Sequence, residues 1–150
     1  MMSPAGFEHG AVAGRIHGHL FVFVSQNRIG LVTAAETGFQ IGHDPDTVRA
    51  PDVAFIRANR LPHMRTRGYF DGAPDLAVEV ISPNDRAGEL LAKVQDWLAA
   101  GCQTVWVADP TSQTVSVYHG SHETRLLTVA DELIDDEVLP GFRLPVAEIF

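Results

Sequence analysis

The stretch Asp75-Leu-Ala-Val-Glu79-Val-Ile81 decides the fold class, because it is a nearly continuous apolar run of strand length. Such a run is typical of a β-strand that is covered on both of its faces. Ser82-Pro83-Asn84 interrupts the run, and the sequence then predicts a helix from Asp85, its N-cap, to Ala100, with Gly101 just beyond its end. Thr104-Val-Trp-Val-Ala108 follows as a second buried strand. A buried strand, a helix and another buried strand predict a mixed sheet with a helix packed against it.

Outside this unit the chain predicts one further helix and several short strands. The helix is expected from Pro4 to about Val24, with Ser3 as its N-cap, because apolar residues recur there at spacings of three and four. The segment from Arg57 to Gly72 has no periodicity and predicts an exposed loop with one helical turn. The expected strands lie within the segments 30–41, 52–56, 114–118, 123–129 and 138–150. No repeat or linker divides the chain, so residues 1–150 are expected to form a single α/β or α+β domain.

The composition is that of an ordinary globular domain with an acidic balance. The chain has 150 residues, 11 Lys and Arg against 19 Asp and Glu, and a formal net charge of −8. No apolar stretch is long enough to span a membrane, and no secretory signal opens the sequence. The single cysteine, Cys102, excludes an internal disulfide and a site of thiolates alone, so a reducing, cytoplasmic setting is expected. The negative charge also argues against a protein that holds nucleic acid by bulk electrostatics.

Glu79 is the first candidate for chemistry, because it places a carboxylate inside an apolar strand. By the two-residue period of a strand, Glu79 shares a face with Ala77 and Ile81, whereas the residues at 76, 78 and 80 face the other side. A carboxylate buried there without a partner would destabilise the protein by several kcal/mol, on the order of the cost of burying an ion, or would become protonated. A bound cation or a lysine would compensate the charge. A Glu at a strand end that reaches solvent or a structural Arg is an equally open alternative.

Three more residues complete the candidate set, each with an ordinary alternative. Asp52 follows Pro51 and opens a short strand, where it could lie beside Glu79 or simply cap a turn. Lys93 lies beside the apolar stripe of the predicted helix, from which it could reach the Glu79 strand or extend into solvent. Glu36 lies in a mostly apolar run, and an exposed position on an antiparallel edge is the favoured alternative. Acids on adjacent strands and a lysine are together the residues needed for metal-assisted hydrolysis of a phosphodiester, with Mg²⁺ held by the carboxylates.

Several ordered motifs resemble one known family over nearly the whole chain. They are Ser-Pro-Ala-Gly-Phe-Glu-His-Gly (3–10), Ala-Glu-Thr-Gly-Phe (35–39), Asp-Thr-Val-Arg-Ala-Pro-Asp-Val-Ala-Phe (46–55), Gly-Ala-Pro-Asp-Leu-Ala-Val-Glu-Val-Ile-Ser-Pro (72–83), Lys93 with Trp-Leu-Ala-Ala-Gly (97–101), Val-Trp-Val-Ala-Asp-Pro (105–110) and Leu-Pro-Gly-Phe-Arg-Leu-Pro-Val (139–146). On these motifs the sequence resembles the Uma-type endonuclease family, of the PD-(D/E)XK restriction-endonuclease-like superfamily. The resemblance implies a restriction-endonuclease-like mixed sheet flanked by helices. It also implies a Mg²⁺-dependent endodeoxyribonuclease, in which Mn²⁺ can substitute.

The same resemblance implies roles for particular residues. It makes Asp52 and Glu79 the metal carboxylates, with the backbone carbonyl of Val80 as a further ligand. It makes Lys93 the catalytic lysine, displaced onto the helix because an isoleucine occupies the place two after Glu79 where the superfamily motif has lysine. Glu36 would be an additional acidic residue of the site.

The resemblance also leaves two alternatives open. Members of the family usually carry a helix and a hairpin before the Ser-Pro motif, and their absence here is expected to expose a sheet edge. A catalytically inactive nuclease-fold module, for interaction or DNA binding, is therefore the alternative to the enzyme. His9, in the first helix, could face the site or simply pack against its neighbours.

DNA contact is expected from the arginine-bearing loop of the chain. The loop contains Arg57, Arg60, Arg65 and Arg67, with His63 nearby, although such a stretch is more often simply solvated. With a net charge of −8, the DNA affinity is expected to be weak and salt-sensitive. A homodimer would be consistent with the family's chemistry, since cutting both strands together needs two active sites.

Overall fold

Two α-helices pack on opposite faces of a six-stranded sheet in the computed structural model, which describes residues 4–63, 67–120 and 123–150. The helices of the described residues are α1 (Phe7–Asn27) and α2 (Ala87–Ala99), with single 3₁₀ turns at Ala58–His63 and Val146–Glu148. The strands of the same residues are β1 (Gly30–Thr33), β2 (Phe39–Gly42), β3 (Thr47–Arg49), β4 (Val53–Arg57), β5 (Phe70–Asp71), β6 (Leu76–Val80), β7 (Thr104–Asp109), β8 (Thr114–His119), β9 (Arg125–Leu127), β10 (Glu132–Leu133) and β11 (Leu144–Pro145). Neither helix has the length and apolar character needed to cross a membrane.

The main sheet is mixed, in the order β1-β4-β6-β7-β8-β9. Strands β6 and β7 run parallel and are joined by α2, whereas the other neighbours are antiparallel. This is the strand–helix–strand unit predicted from the sequence, and the mixed α+β fold is confirmed. Two small sheets, β3-β2-β5 and β10-β11, complete the described residues.

The alternation predicted for β6 is confirmed by the two cores that lie on either side of it. Val78 and its neighbours at 76 and 80 pack in one apolar cluster with the α1 stripe of Val12, Ile16, Leu20 and Val24. The other face of β6 lies with the α2 residues at 94 and 97 in a second cluster. Because each fully buried aliphatic side chain contributes about 1.5–3 kcal/mol, the α1 stripe outweighs the cost of the three glycines in that helix.

The helix boundaries differ from the predicted ones at the N-termini. Helix α1 begins three residues later than predicted, with Gly6 as its N-cap, and the predicted cap Ser3 lies outside the described residues. Helix α2 begins at Ala87, and the prediction that Asp85 caps it is wrong. The Asp85 carboxylate instead accepts the Ser82 N–H at 2.8 Å and so closes the turn between β6 and the helix. Gly101 follows α2 with a φ of 101°, as its predicted position beyond the helix requires.

Strands β1 and β2, which lie largely within the predicted strand segment 30–41, do not pair with one another. Strand β1 pairs with β4 at the edge of the main sheet, whereas β2 pairs with β3 and β5. The segment 57–72, which is predicted to be a loop with one helical turn, contains strand β5 near its end. Phe70 of β5 packs edge-on against Phe39 of β2, with ring centroids 5.6 Å apart, which gives this aperiodic segment its anchor.

Candidate active site

Asp52 and Glu79 come together where β4 begins and β6 ends. The Asp52 N–H donates to the Val78 carbonyl at 3.0 Å, which continues the antiparallel ladder one residue beyond β4. The Val80 N–H in turn donates to Asp52 Oδ2 at 2.8 Å. Backbone pairing therefore places the Asp52 carboxylate beside the end of β6, where its charge acts on Glu79.

Glu79 is a buried acid whose ionisation is opposed by its surroundings. Its side chain lies on the α2 face of the sheet and the residue is only 6% exposed. Burial, followed by the negative charge of Asp52, raises the pKa of Glu79 to about 7. Lys93, Arg49 and a hydrogen bond from Trp97 Nε1 to Glu79 Oε2, at 3.2 Å, act in the opposite direction. Two negative charges held this close would be stabilised by a cation placed between them.

Lys93 lies on α2 one turn before Trp97, and it lines the cleft that contains the two acids. Its side chain is exposed, and its positive charge lowers the pKa of Glu79. It is also the sole lysine of the sequence. The predicted placement beside the apolar stripe agrees with the structure, because Trp97 and Val94 of that stripe are fully buried. The pattern of apolar residues in this helix also predicts that Leu91 belongs to the stripe, but Leu91 is 47% exposed.

Glu36 lies across the same cleft, in the turn that follows β1. Its backbone has a φ of 66°, in the left-handed region, and its side chain is exposed. The structure thus brings Glu36 to the wall of the cleft, and not into direct contact with the acid pair. It has none of the burial that marks Glu79.

Three side chains around the acid pair were set aside or missed in the sequence. His9 Nε2 of α1 lies 3.4 Å from Asp52 Oδ2. Trp97 donates to Glu79, and Arg49 of β3 pairs with Asp96 of α2 while its charge acts on Glu79. The spacing of four between Lys93 and Trp97 was a usable signal, because it places both on one helix face.

The cleft around these residues has a volume of about 1470 Å³, which exceeds the usual 300–1,000 Å³ of a small-molecule pocket. The first half of α1, from Gly6 to His17, lines one side. The turn after β1 and the start of α2 line the other sides, and the acid pair lies at the sheet between them. A cleft of this size and shape admits an extended ligand.

The donor set of the cleft fits Mg²⁺ if the backbone and water supply part of the coordination. Among the residues that the structure describes, no group of three or more His, Cys, Asp or Glu side chains is arranged to hold a metal ion. Asp52 and Glu79 offer two carboxylates, and the Val80 carbonyl points to the Asp52 side of β6, as its N–H does. Mg²⁺ is commonly bound through one or two carboxylates and keeps several waters, so this oxygen set suits it.

The arginine-bearing loop lies away from the acid pair. It follows the far end of β4, five residues or about 17 Å from Asp52. Arg57 donates to Gln103 Oε1 and to a backbone carbonyl, both at 2.7 Å, and Arg60 pairs with Asp75 at 3.1 Å. These two arginines therefore hold parts of the fold together, and DNA contact by the loop stays a prediction. Arg67 is exposed, while Arg65 and the side chain of His63 lie outside the described residues.

Comparisons with known proteins identify the fold and the family of the chain. A crystal structure from Anabaena variabilis ATCC 29413, described as a putative nuclease belonging to DUF820, matches with a TM-score of 0.85 and 24% sequence identity. The match covers 99% of this chain and 83% of that one, and it shows the same nuclease fold. Among curated proteins, none matches the chain. The family profile Uma2, described as "Putative restriction endonuclease", matches residues 1–147, and the chain therefore belongs to the Uma2 family.

Proposed function

We propose that the protein is a Mg²⁺-dependent endodeoxyribonuclease that hydrolyses phosphodiester bonds at a PD-(D/E)XK-type site. One observation carries the proposal: a buried glutamate, with a pKa raised to about 7, lies beside a second carboxylate at the sheet side of a large cleft. The pair is costly to the fold, because two neighbouring acids repel one another and one of them is desolvated. A divalent cation removes both costs.

The two acids would share the binding of the metal ion in the proposed site. Asp52 and Glu79 would hold the ion together with the Val80 carbonyl. When bound, Mg²⁺ polarises the phosphate and lowers the pKa of an attacking water. Trp97 holds Glu79 Oε2 in a fixed orientation. Because burial raises the pKa of Glu79 to about 7, its carboxyl group would have to release a bound proton to hold the ion.

Lys93 would act on the other side of the phosphate. It is exposed to the cleft and close enough to Glu79 for its charge to be felt there. An ammonium in this position stabilises the negative charge that develops on the phosphate in the transition state. Glu36, across the cleft, would be an outer acidic residue that binds water around the ion.

DNA binding by this protein is expected to be weak and to fall steeply with salt. The net charge is −8, and the Lys and Arg side chains that line the cleft are Lys93 and the Asp96-paired Arg49. We expect a Kd in the range of about 10–100 μM at physiological ionic strength, near that of non-specific binding. Fluorescence anisotropy with labelled DNA in Ca²⁺, from 25 to 200 mM salt, measures it. Nanomolar affinity that is insensitive to salt would contradict the expectation.

Cleavage by Lys93→Ala tests the proposed function most directly. We expect a fall in kcat of about 10²–10³-fold, in the range for the loss of one transition-state charge contact, with an unchanged Tm because the side chain is exposed. Arg86→Ala, which removes an exposed cation from the N-cap of the same helix, is the matched control and should cleave normally. Supercoiled and linear DNA in Mg²⁺ and in Mn²⁺ are suitable substrates.

The sole lysine permits a second form of the same test. Acetylation of the purified protein removes the charge of Lys93 and the N-terminal amine, whereas reductive methylation keeps both charges. The acetylated protein should lose cleavage and the methylated protein should retain most of it. If the unmodified protein shows no cleavage above that of Lys93→Ala under any of these conditions, the enzyme proposal fails. The catalytically inactive nuclease-fold module then becomes the better account.

Homodimer formation stays a prediction. One site would nick a single strand, whereas concerted cutting of both strands needs two sites.

A further inference from the structure

We propose that His9 is a positioning residue that orients Asp52 for metal binding. The inference rests on the proposed metal site at Asp52 and Glu79. It gives α1, which otherwise packs against the sheet as a structural helix, a direct connection to that site.

The contacts of Asp52 carry the first step. Its Oδ2 atom receives the Val80 N–H at 2.8 Å and faces His9 Nε2 at 3.4 Å. The Val80 amide and the His9 ring approach the same oxygen from different elements, one from β6 and one from α1. The amide hydrogen bond and the close imidazole ring at Oδ2 restrict the rotation of the carboxylate and leave Oδ1 for a cation.

The placement of His9 is determined by the buried face of α1. Val12 and Ile16, at spacings of three and seven from His9, are almost completely buried, so His9 lies on the side of the helix that faces the sheet. Its side chain is only 13% exposed. The ring therefore has little freedom to move away from Asp52.

The other ring nitrogen supports a polar task on the Asp52 side. His9 Nδ1 is buried and has no hydrogen-bond partner among the described residues. A buried polar atom without a partner destabilises a fold, so packing alone would favour an apolar ring at this position. The contact between Nε2 and Asp52 is what distinguishes histidine from phenylalanine here. Outer contacts of this kind to a metal-binding residue are typically worth 10–100-fold in metal affinity.

Calorimetric titration of the metal-free protein with Mn²⁺ tests the inference. His9→Phe keeps the size of the ring and removes the donor, and we expect Mn²⁺ to bind about 10–100-fold more weakly to it. His9→Gln carries an amide that can reach the Nε2 position, and its affinity should be within about threefold of the wild type. His17→Ala is the matched control, because His17 lines the same cleft from the same helix but stacks on Phe21, and it should bind as the wild type does.

Two results would overturn the inference in different ways. If the wild type binds Mn²⁺ and His9→Phe binds it equally well, His9 does not position Asp52, and the proposed metal site stands. If the wild type does not bind Mn²⁺, the metal site itself fails and the role of His9 fails with it. The His9→Gln variant distinguishes a positioning role from a purely structural one, because an amide would not repair a packing defect left by loss of the ring. Circular dichroism melts of both variants without metal measure that packing contribution independently.

Discussion

Glu79→Gln is expected to stabilise the metal-free protein above pH 7 and to abolish its metal-dependent cleavage. The glutamine keeps an oxygen that accepts the Trp97 N–H, and it removes the charge that burial and Asp52 make unfavourable. The raised pKa corresponds to a penalty of about 3 kcal/mol when Glu79 is ionised. For a chain of this size that is a rise in Tm of roughly 5–10 °C. The same substitution removes one of two carboxylates that would hold Mg²⁺.

The pH dependence of this stabilisation follows from the direction of the shift. The pKa of Glu79 rises from 4.5 to about 7, so the folded state takes up the proton before the unfolded state does. The penalty on the folded wild type is absent below about pH 4.5, grows between the two values and is complete above about pH 7. Glu79→Gln should therefore match the wild type near pH 4.5 and exceed it by the full amount at pH 8.

Thermal melts at several pH values, with EDTA present, measure the effect. Glu36→Gln is the matched control, because it removes an exposed carboxylate from the same cleft and should leave the Tm unchanged at every pH. Adding Mn²⁺ should raise the Tm of the wild type and not that of Glu79→Gln. A Glu79→Gln protein that melts below the wild type at pH 8 would mean that the glutamate stabilises the fold, and the functional interpretation of its burial would be lost.

The fold around β6 could be predicted because its signals are local. A run of apolar residues, a glycine after the helix and a second apolar run suffice for a strand–helix–strand unit, and the alternation of β6 follows from the two-residue period. The pairing of β2 could not be predicted in this way. It depends on the contact between Phe39 and Phe70, which are far apart in the sequence and lie in segments without periodicity.

Some features of the candidate site could likewise be predicted from local sequence patterns, and others could not. The burial of Glu79 and the position of Lys93 beside the stripe follow from strand and helix periods. The contact of His9 with Asp52 depends on how α1 crosses the sheet, which no local pattern specifies. The roles of Arg57 and Arg60 depend on acceptors, Asp75 among them, that lie on other elements. An arginine in an aperiodic segment has the same appearance in a sequence whether it binds DNA or a buried carboxylate.

Asp75→Ala is expected to destabilise the protein by about 3 kcal/mol at neutral pH without changing its affinity for Mn²⁺. Asp75 lies just before β6 and is 6% exposed, so burial alone does not distinguish it from Glu79 at the end of the strand. Its partners do: Asp75 Oδ2 accepts the Arg57 N–H at 2.8 Å and Arg60 Nη1 at 3.1 Å. Removing the carboxylate leaves the Arg57 N–H without its acceptor and leaves Arg60 with the Ala73 carbonyl as its remaining acceptor. Breaking a buried pair typically costs about 3–5 kcal/mol, and the lower end applies here because Arg60 is one-third exposed.

Urea denaturation and Mn²⁺ titration of the same samples separate the two acids that flank β6. Asp75→Asn keeps an acceptor for the Arg57 N–H, so it should lose less stability than Asp75→Ala. Adding Arg60→Met to Asp75→Ala removes the charge that Asp75 no longer pairs, and the double variant should recover part of the lost stability. Asp71→Ala, at an exposed carboxylate, should change the free energy of unfolding by less than about 0.5 kcal/mol. Opposite signs for Asp75→Asn and Glu79→Gln would mean that one buried acid stabilises the fold through its partners. The other acid lowers the free energy of unfolding of the metal-free protein, as expected of a residue that holds a cation. If both substitutions instead destabilise the protein, both acids are structural, and the cleft loses the observation on which the nuclease proposal rests.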